Sequence, residues 1–136
     1  MAARTKARKR ALDVLYAADM RGQDPVAALD AATEAGECPT NPYTATLVRG
    51  VSERRVRIDE LLGEYAQGWT LDRMPAVDRN VLRLATFEVL YVDDVPDAVA
   101  VSEALNLVRD LSTDESPAFV NGVLGNIVRD RETLAG

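Results

Sequence analysis

Five cations crowd the first ten residues: Arg4, Lys6, Arg8, Lys9 and Arg10, with no acid before Asp13. Cations placed this way suit phosphate contacts, which supply affinity with little sequence preference. Tyr16 follows them on the same predicted helix, and Phe119 with Asn121 sets a second ring beside an amide that both donates and accepts. Reading single-stranded RNA needs flat side chains on which bases stack. Aromatics are only 5% of the chain, so each can be weighed. Trp69, Phe87, Tyr43 and Tyr65 are expected in the core, and Tyr16 and Phe119 are the stacking candidates by position. If the first and last helices are neighbours, cations, rings and amide share one surface. The plainer alternative is a solvated basic face. Cations in the first turns of a helix oppose its dipole, however, and that mismatch favours a function.

Enzymatic chemistry finds little support. The chain has no histidine, which removes the commonest general base and the commonest metal ligand. The carboxylate pairs Asp93/Asp94 and Asp114/Glu115 fall in predicted turns. Gly122 and Gly125 lie inside a predicted helix rather than in a phosphate-binding loop. The lone cysteine, Cys38, excludes an internal disulfide and reads as an incidental loop thiol. No catalytic residue, metal or cofactor is expected.

The net charge of −6 conceals an asymmetry. Five of the sixteen basic residues sit at the N-terminal end, so the remainder is a strongly acidic body. Such an end can meet an anion without making the whole chain a nonspecific polyanion binder. At 136 residues and 47% hydrophobic content the chain makes one ordinary domain with a real core. No apolar run approaches the ~20 residues needed to span a bilayer, and no signal segment follows the basic end, so a cytoplasmic location is expected.

The elements that would position these residues are helices. Ala7, Ala11, Leu15 and Ala18 form one stripe of a helix from about Thr5 to Met20. Asp24-Pro25 and Asn41-Pro42 repeat a cap-then-proline opening. The second of these starts a long helical segment that ends near Gln67-Gly68 and is expected to bend at Gly50 and Ser52. Its Arg54, Arg55 and Arg57 read as a solvated face. Trp69 to Met74 reads as one short helical turn. The stretch Val77 to Val92 is apolar on almost every side and is the expected central helix. Val99 to Val101 reads as extended, with Ser102 capping the next helix. Ser116-Pro117 opens the last helix, with the Ser116 hydroxyl as its cap. There Val120, Leu124, Ile127 and Val128 mark a core face, and Ala118, Gly122 and Gly125 mark a bare one expected to admit a neighbouring helix. The fold class is all-α: about seven helices in two small bundles, roughly 1–67 and 68–136, sharing a continuous core within a single domain over 1–136.

Four segments in this order resemble the NusB family of bacterial transcription antitermination proteins. They are Arg8-Lys-Arg-Ala-Leu-Asp-Val-Leu-Tyr16, Val77-Asp-Arg-Asn-Val-Leu-Arg-Leu-Ala85, Val95-Pro96 with Ala100-Val-Ser-Glu-Ala-Leu105, and Phe119-Val-Asn-Gly-Val-Leu124. The resemblance covers nearly the whole chain. It implies binding to the boxA segment of ribosomal RNA leader transcripts, jointly with the ribosomal small-subunit protein NusE. That complex would join other Nus factors and RNA polymerase. Carried over by position, Arg4, Lys6, Arg8, Lys9, Arg10, Tyr16, Glu115, Phe119 and Asn121 would form the RNA surface, and Asp78 would lie towards NusE. The chain departs from the family pattern at Gly125, where many members carry an acid. Two other readings stay open. One is a helical protein–protein adaptor. The other is a detached module of the kind found beside ribosomal RNA cytosine methyltransferases.

Overall fold

The computed structural model describes residues 3–37 and 41–134. The expected loop thiol, Cys38, lies outside the described residues. Those residues form eight α-helices and one 3-10 turn, with no strand among them. The helices are α1 (Ala3–Arg21), α2 (Pro25–Glu34), α3 (Pro42–Glu53), α4 (Arg55–Tyr65), α5 (Ala76–Tyr91), α6 (Asp97–Leu111), α7 (Ser116–Arg129) and α8 (Arg131–Leu134); the 3-10 turn is Leu71–Arg73.

Local chemistry sets most of the helix starts. The Asp24 carboxylate accepts from the Val26 N–H at 3.3 Å, and the Asn41 side-chain oxygen accepts from the Tyr43 N–H at 2.9 Å. In each case proline occupies the first helical position, where no N–H is missed. Gly68 follows α4 with φ +80, a left-handed turn that side chains with a Cβ rarely adopt.

Three expectations change. The long segment after Asn41 breaks at Arg54 (φ −108, ψ 14), and Gly50 stays inside α3. Gly50 instead marks the tight helix contact: a Cβ there would collide with the Phe87 ring. Helix α6 begins at Asp97 directly after Pro96, so Val99 to Val101 are helical and Ser102 caps nothing. Proline, with its fixed φ, starts this helix without a side-chain cap. The bare face of α7 admits no helix. Ala118, Gly122 and Gly125 are exposed, and a Cβ on either glycine would meet nothing within 4 Å.

Helix α5 organises the fold. It packs on α1, α3 and α4 and also on α6 and α7. Side chains from Asn80 to Leu90 are all buried, the polar Asn80, Arg83, Thr86 and Glu88 among them, so the central helix is enclosed on every side. The buried apolar residues form one cluster from Ala7 to Ile127, continuous across the expected junction near Gly68.

Candidate nucleic-acid interface

Helix α1 buries Ala7, Ala11, Leu12, Leu15 and Ala18 and turns Lys6, Lys9, Asp13, Tyr16 and Met20 outward. The outward residues lie three or four apart, so they share one face. Tyr16 is 37% exposed, which leaves part of its ring open to a stacking partner.

The basic residues divide by what already holds them. Arg8 is 3% exposed, which corrects the expectation of a surface cation. Its Nε donates to both oxygens of Glu88, at 3.0 and 2.9 Å, and its Nη1 donates to Glu103 at 3.1 Å. The Tyr43 hydroxyl donates to the same Glu88 carboxylate, and its ring lies under the Arg4 guanidinium at 4.2 Å. The cause is Glu88 itself, an acid with no exposed surface on the central helix; a carboxylate so placed needs a cation and further donors. Burial, then the hydrogen bond to Glu88, pushes the Tyr43 phenol up from its ordinary value, so it stays a donor. Burial likewise pushes the Glu88 carboxyl up, against the pull of Tyr43 and Arg8.

Arg4 is half-exposed but committed. It donates to Asp94 at 3.1 Å, a bond that raises the guanidinium and lowers the carboxyl. Lys9 pairs with Asp13 at 2.8 Å across one helical turn. Lys6 and Arg10 are exposed and have no ion-pair partner among the described residues. They are the two uncommitted cations of the N-terminal cluster.

The other expected residues sit around the corner between α6 and α7. Glu115 and Asn121 are exposed, and Phe119 is half-buried with its ring tilted against Trp69 at 6.0 Å. Trp69 was expected in the core, yet it is 49% exposed, on the irregular stretch between α4 and the 3-10 turn. Helix α7 packs on α4, α5 and α6, whereas α1 packs on α2, α3 and α5. The first and last helices therefore meet through α5 and not as a packed pair.

The first turn of α5 supplies that link. Asp78 is 2% exposed and accepts from the Ser112 hydroxyl at 2.7 Å and the Ser116 hydroxyl at 2.8 Å. Asp78 is thus a buried anchor for the corner, which corrects the expectation of a side chain turned to a partner. Ser116 does not cap its own helix either, because its hydroxyl donates to the buried Asp78 carboxylate; the cap position is Glu115, without a side-chain bond. The next two residues of α5 hold the far end of α1. Arg79 donates to Asp19 at 2.9 Å, and Asn80 donates to it at 3.0 Å. Burial pushes the Asp19 carboxyl up, but these donors outweigh it and hold the group below its ordinary value. Three consecutive residues of one helix therefore tie the Tyr16 end of α1 and the Glu115 corner to the same point.

Sequence reasoning missed this hub, and it also missed the α6 residues that line a cleft along α1. Asp78 could have been read as the head of a helix but not as the acceptor of two serines from another corner. Arg109, in the last turn of α6, reads in sequence only as a dipole-favoured cation.

A family model described as the NusB family matches residues 5–129. The chain belongs to the NusB family. A relative from Nocardioides sp. strain JS614, named transcription antitermination protein NusB, is 73% identical over 99% of this chain and 100% of its own length. Among solved structures, the T. maritima NusB is 31% identical, with TM-score 0.81, over 96% of this chain and 93% of that one. A NusB solved with NusE and double-stranded RNA is 27% identical, with TM-score 0.81, over 93% of this chain and 96% of that one. The NusB family is one of antitermination factors, not of enzymes.

Proposed function

We propose that this NusB-family chain is an RNA-binding antitermination factor that takes boxA RNA of ribosomal RNA leader transcripts together with NusE. In this reading it acts in the cytoplasm, and other Nus factors and RNA polymerase join through the complex. One observation carries the reading: Lys6 and Arg10, uncommitted on an acidic protein, stand on the same helix as the part-open Tyr16 ring. The solved relative bound to NusE and RNA supports the same ligand class. Lys6, Lys9 and Arg10 would meet phosphates, with Arg4 contributing after release from Asp94. Tyr16 and Phe119 would meet bases, with Asn121 and Glu115 beside them. Arg8 and Asp78 would act from inside, Arg8 by holding α1 and Asp78 by holding the corner presented to RNA and NusE.

The test is a titration of single-stranded boxA-like RNA and of its duplex, with and without the NusE-like protein, over a salt series. The single strand should bind more tightly with the partner present, and each neutralised phosphate should contribute about −0.7 to the log–log salt slope. Absent or salt-insensitive binding with the partner present overturns the reading.

The Trp69–Phe119 pair favours a second reading for that end of the molecule, since an exposed indole on a ring is a common protein contact. A Phe119→Ala variant that loses NusE but keeps RNA affinity would assign Phe119 to the protein side.

A further inference from the structure

A cleft of about 920 Å³ runs along α1, with walls from α1, the start of α3 and α6. Lys6, Lys9 and Arg10 line it from α1, and Asn106, Arg109 and Asp110 line it from α6. Some of its charges are spent internally. Glu103 takes Arg8 and the Thr5 hydroxyl, and Asp13 takes Lys9. Lys6, Arg10 and Arg109 have no carboxylate partner among the described residues. On a chain of net charge −6, such cations from two helices lining one cleft mark a local site for a polyanion.

The α6 side is also organised. Arg109 Nη1 donates to Asn106 Oδ1 at 3.3 Å, which turns the Asn106 amide and leaves its NH₂ without a partner among the described residues. Both side chains are exposed on a fifteen-residue helix that packs firmly on α5 and α7. Asp110 is the remaining uncommitted acid of the cleft, and its charge leaves this wall suited to one phosphate and not to several.

We propose that Asn106 and Arg109 are the second wall of the RNA site: Arg109 takes one backbone phosphate of a single strand, and the Asn106 NH₂ meets a base edge beside it. The proposal rests on the RNA-binding reading above. It adds a helix that the sequence left with a purely structural role.

The experiment is the same RNA titration, with the NusE-like protein present, on Arg109→Gln, Arg109→Lys, Asn106→Ala and the double variant Lys6→Gln/Arg10→Gln. Arg109→Gln should raise Kd several-fold and make the salt slope shallower by about 0.7, the signature of one lost phosphate contact. Arg109→Lys should keep the slope. Asn106→Ala should raise Kd with the slope unchanged, since it removes a base contact and no charge. If Arg109→Gln and Asn106→Ala bind like the parent while the α1 double variant weakens, the α6 wall is overturned and the RNA reading survives. If the α1 double variant also binds like the parent, the RNA reading falls and the α6 wall falls with it.

Discussion

The five N-terminal cations show how much a charge depends on what faces it. Arg8 is flanked in sequence by Lys6, Lys9 and Arg10, yet it is enclosed by Glu88, Glu103 and Tyr43. Removing one member of a buried pair strands the other, at a cost of about 3–5 kcal/mol. Arg8→Ala should therefore lower the urea midpoint by a large fraction of a typical domain stability. Lys6→Glu and Arg10→Glu, on open surface, should stay within about 0.5 kcal/mol of the parent. Urea unfolding of the three variants checks this, and equal midpoints would mean that the Arg8 cluster carries no stability. An RNA-binding defect in an Arg8 variant would then need its fold checked first, whereas one in Lys6 or Arg10 reports the surface directly.

At the scale of elements, two kinds of glycine occupy helices for opposite reasons. Gly50 lets α3 approach α5, and its missing Cβ is filled by the buried Phe87 ring. Gly50→Ala should destabilise by about 1–3 kcal/mol, because neither the ring nor the two helices can move without disturbing packed neighbours. Gly122 and Gly125 have ordinary helical backbones and open space around them. Alanine at either should stabilise by up to about 1 kcal/mol, through helix propensity and a less flexible unfolded chain. Thermal melts of the three single variants make the comparison, and a stabilised Gly50→Ala would contradict the close packing. Sequence inspection saw glycines in helices in both places. It could not tell a glycine facing a ring from one facing water, since that depends on the partner helix.

For the whole molecule, polar ties join segments distant in sequence, and some of them titrate. Tyr65 on α4 donates to Asp130, at the junction of α7 and α8, at 2.6 Å. The Arg129 and Tyr65 hydrogen bonds hold that carboxyl down at about 2, against an ordinary 3.8. A depressed carboxyl favours the folded state when ionised. Its contribution is whole above the ordinary value and is lost as pH falls from 3.8 towards about 2. Asp19, also lowered, should add to the same acid-side loss. Asp130→Asn should accordingly flatten the stability profile below pH 4 and leave its shape near neutrality unchanged. Urea midpoints between about pH 4 and 2 provide the readout, and parallel parent and variant profiles would remove Asp130 from the account.

The chain's sequence by itself determined that this is an all-helical NusB-family domain. Helix periodicity, proline-after-cap openings and the largely apolar stretch of α5 are local properties, and the four family segments are written in residue order. It also determined that cations gather on the first helix. Only the tertiary structure decided which of them are available, because burial and pairing are made by residues far apart in the chain. Glu88 claims Arg8 across eighty positions, and Asp78 gathers Ser112 and Ser116 from more than thirty positions away. For the same reason the structure turned the glycine face of α7 outward, brought Trp69 to the surface and set Arg109 beside the cleft of α1.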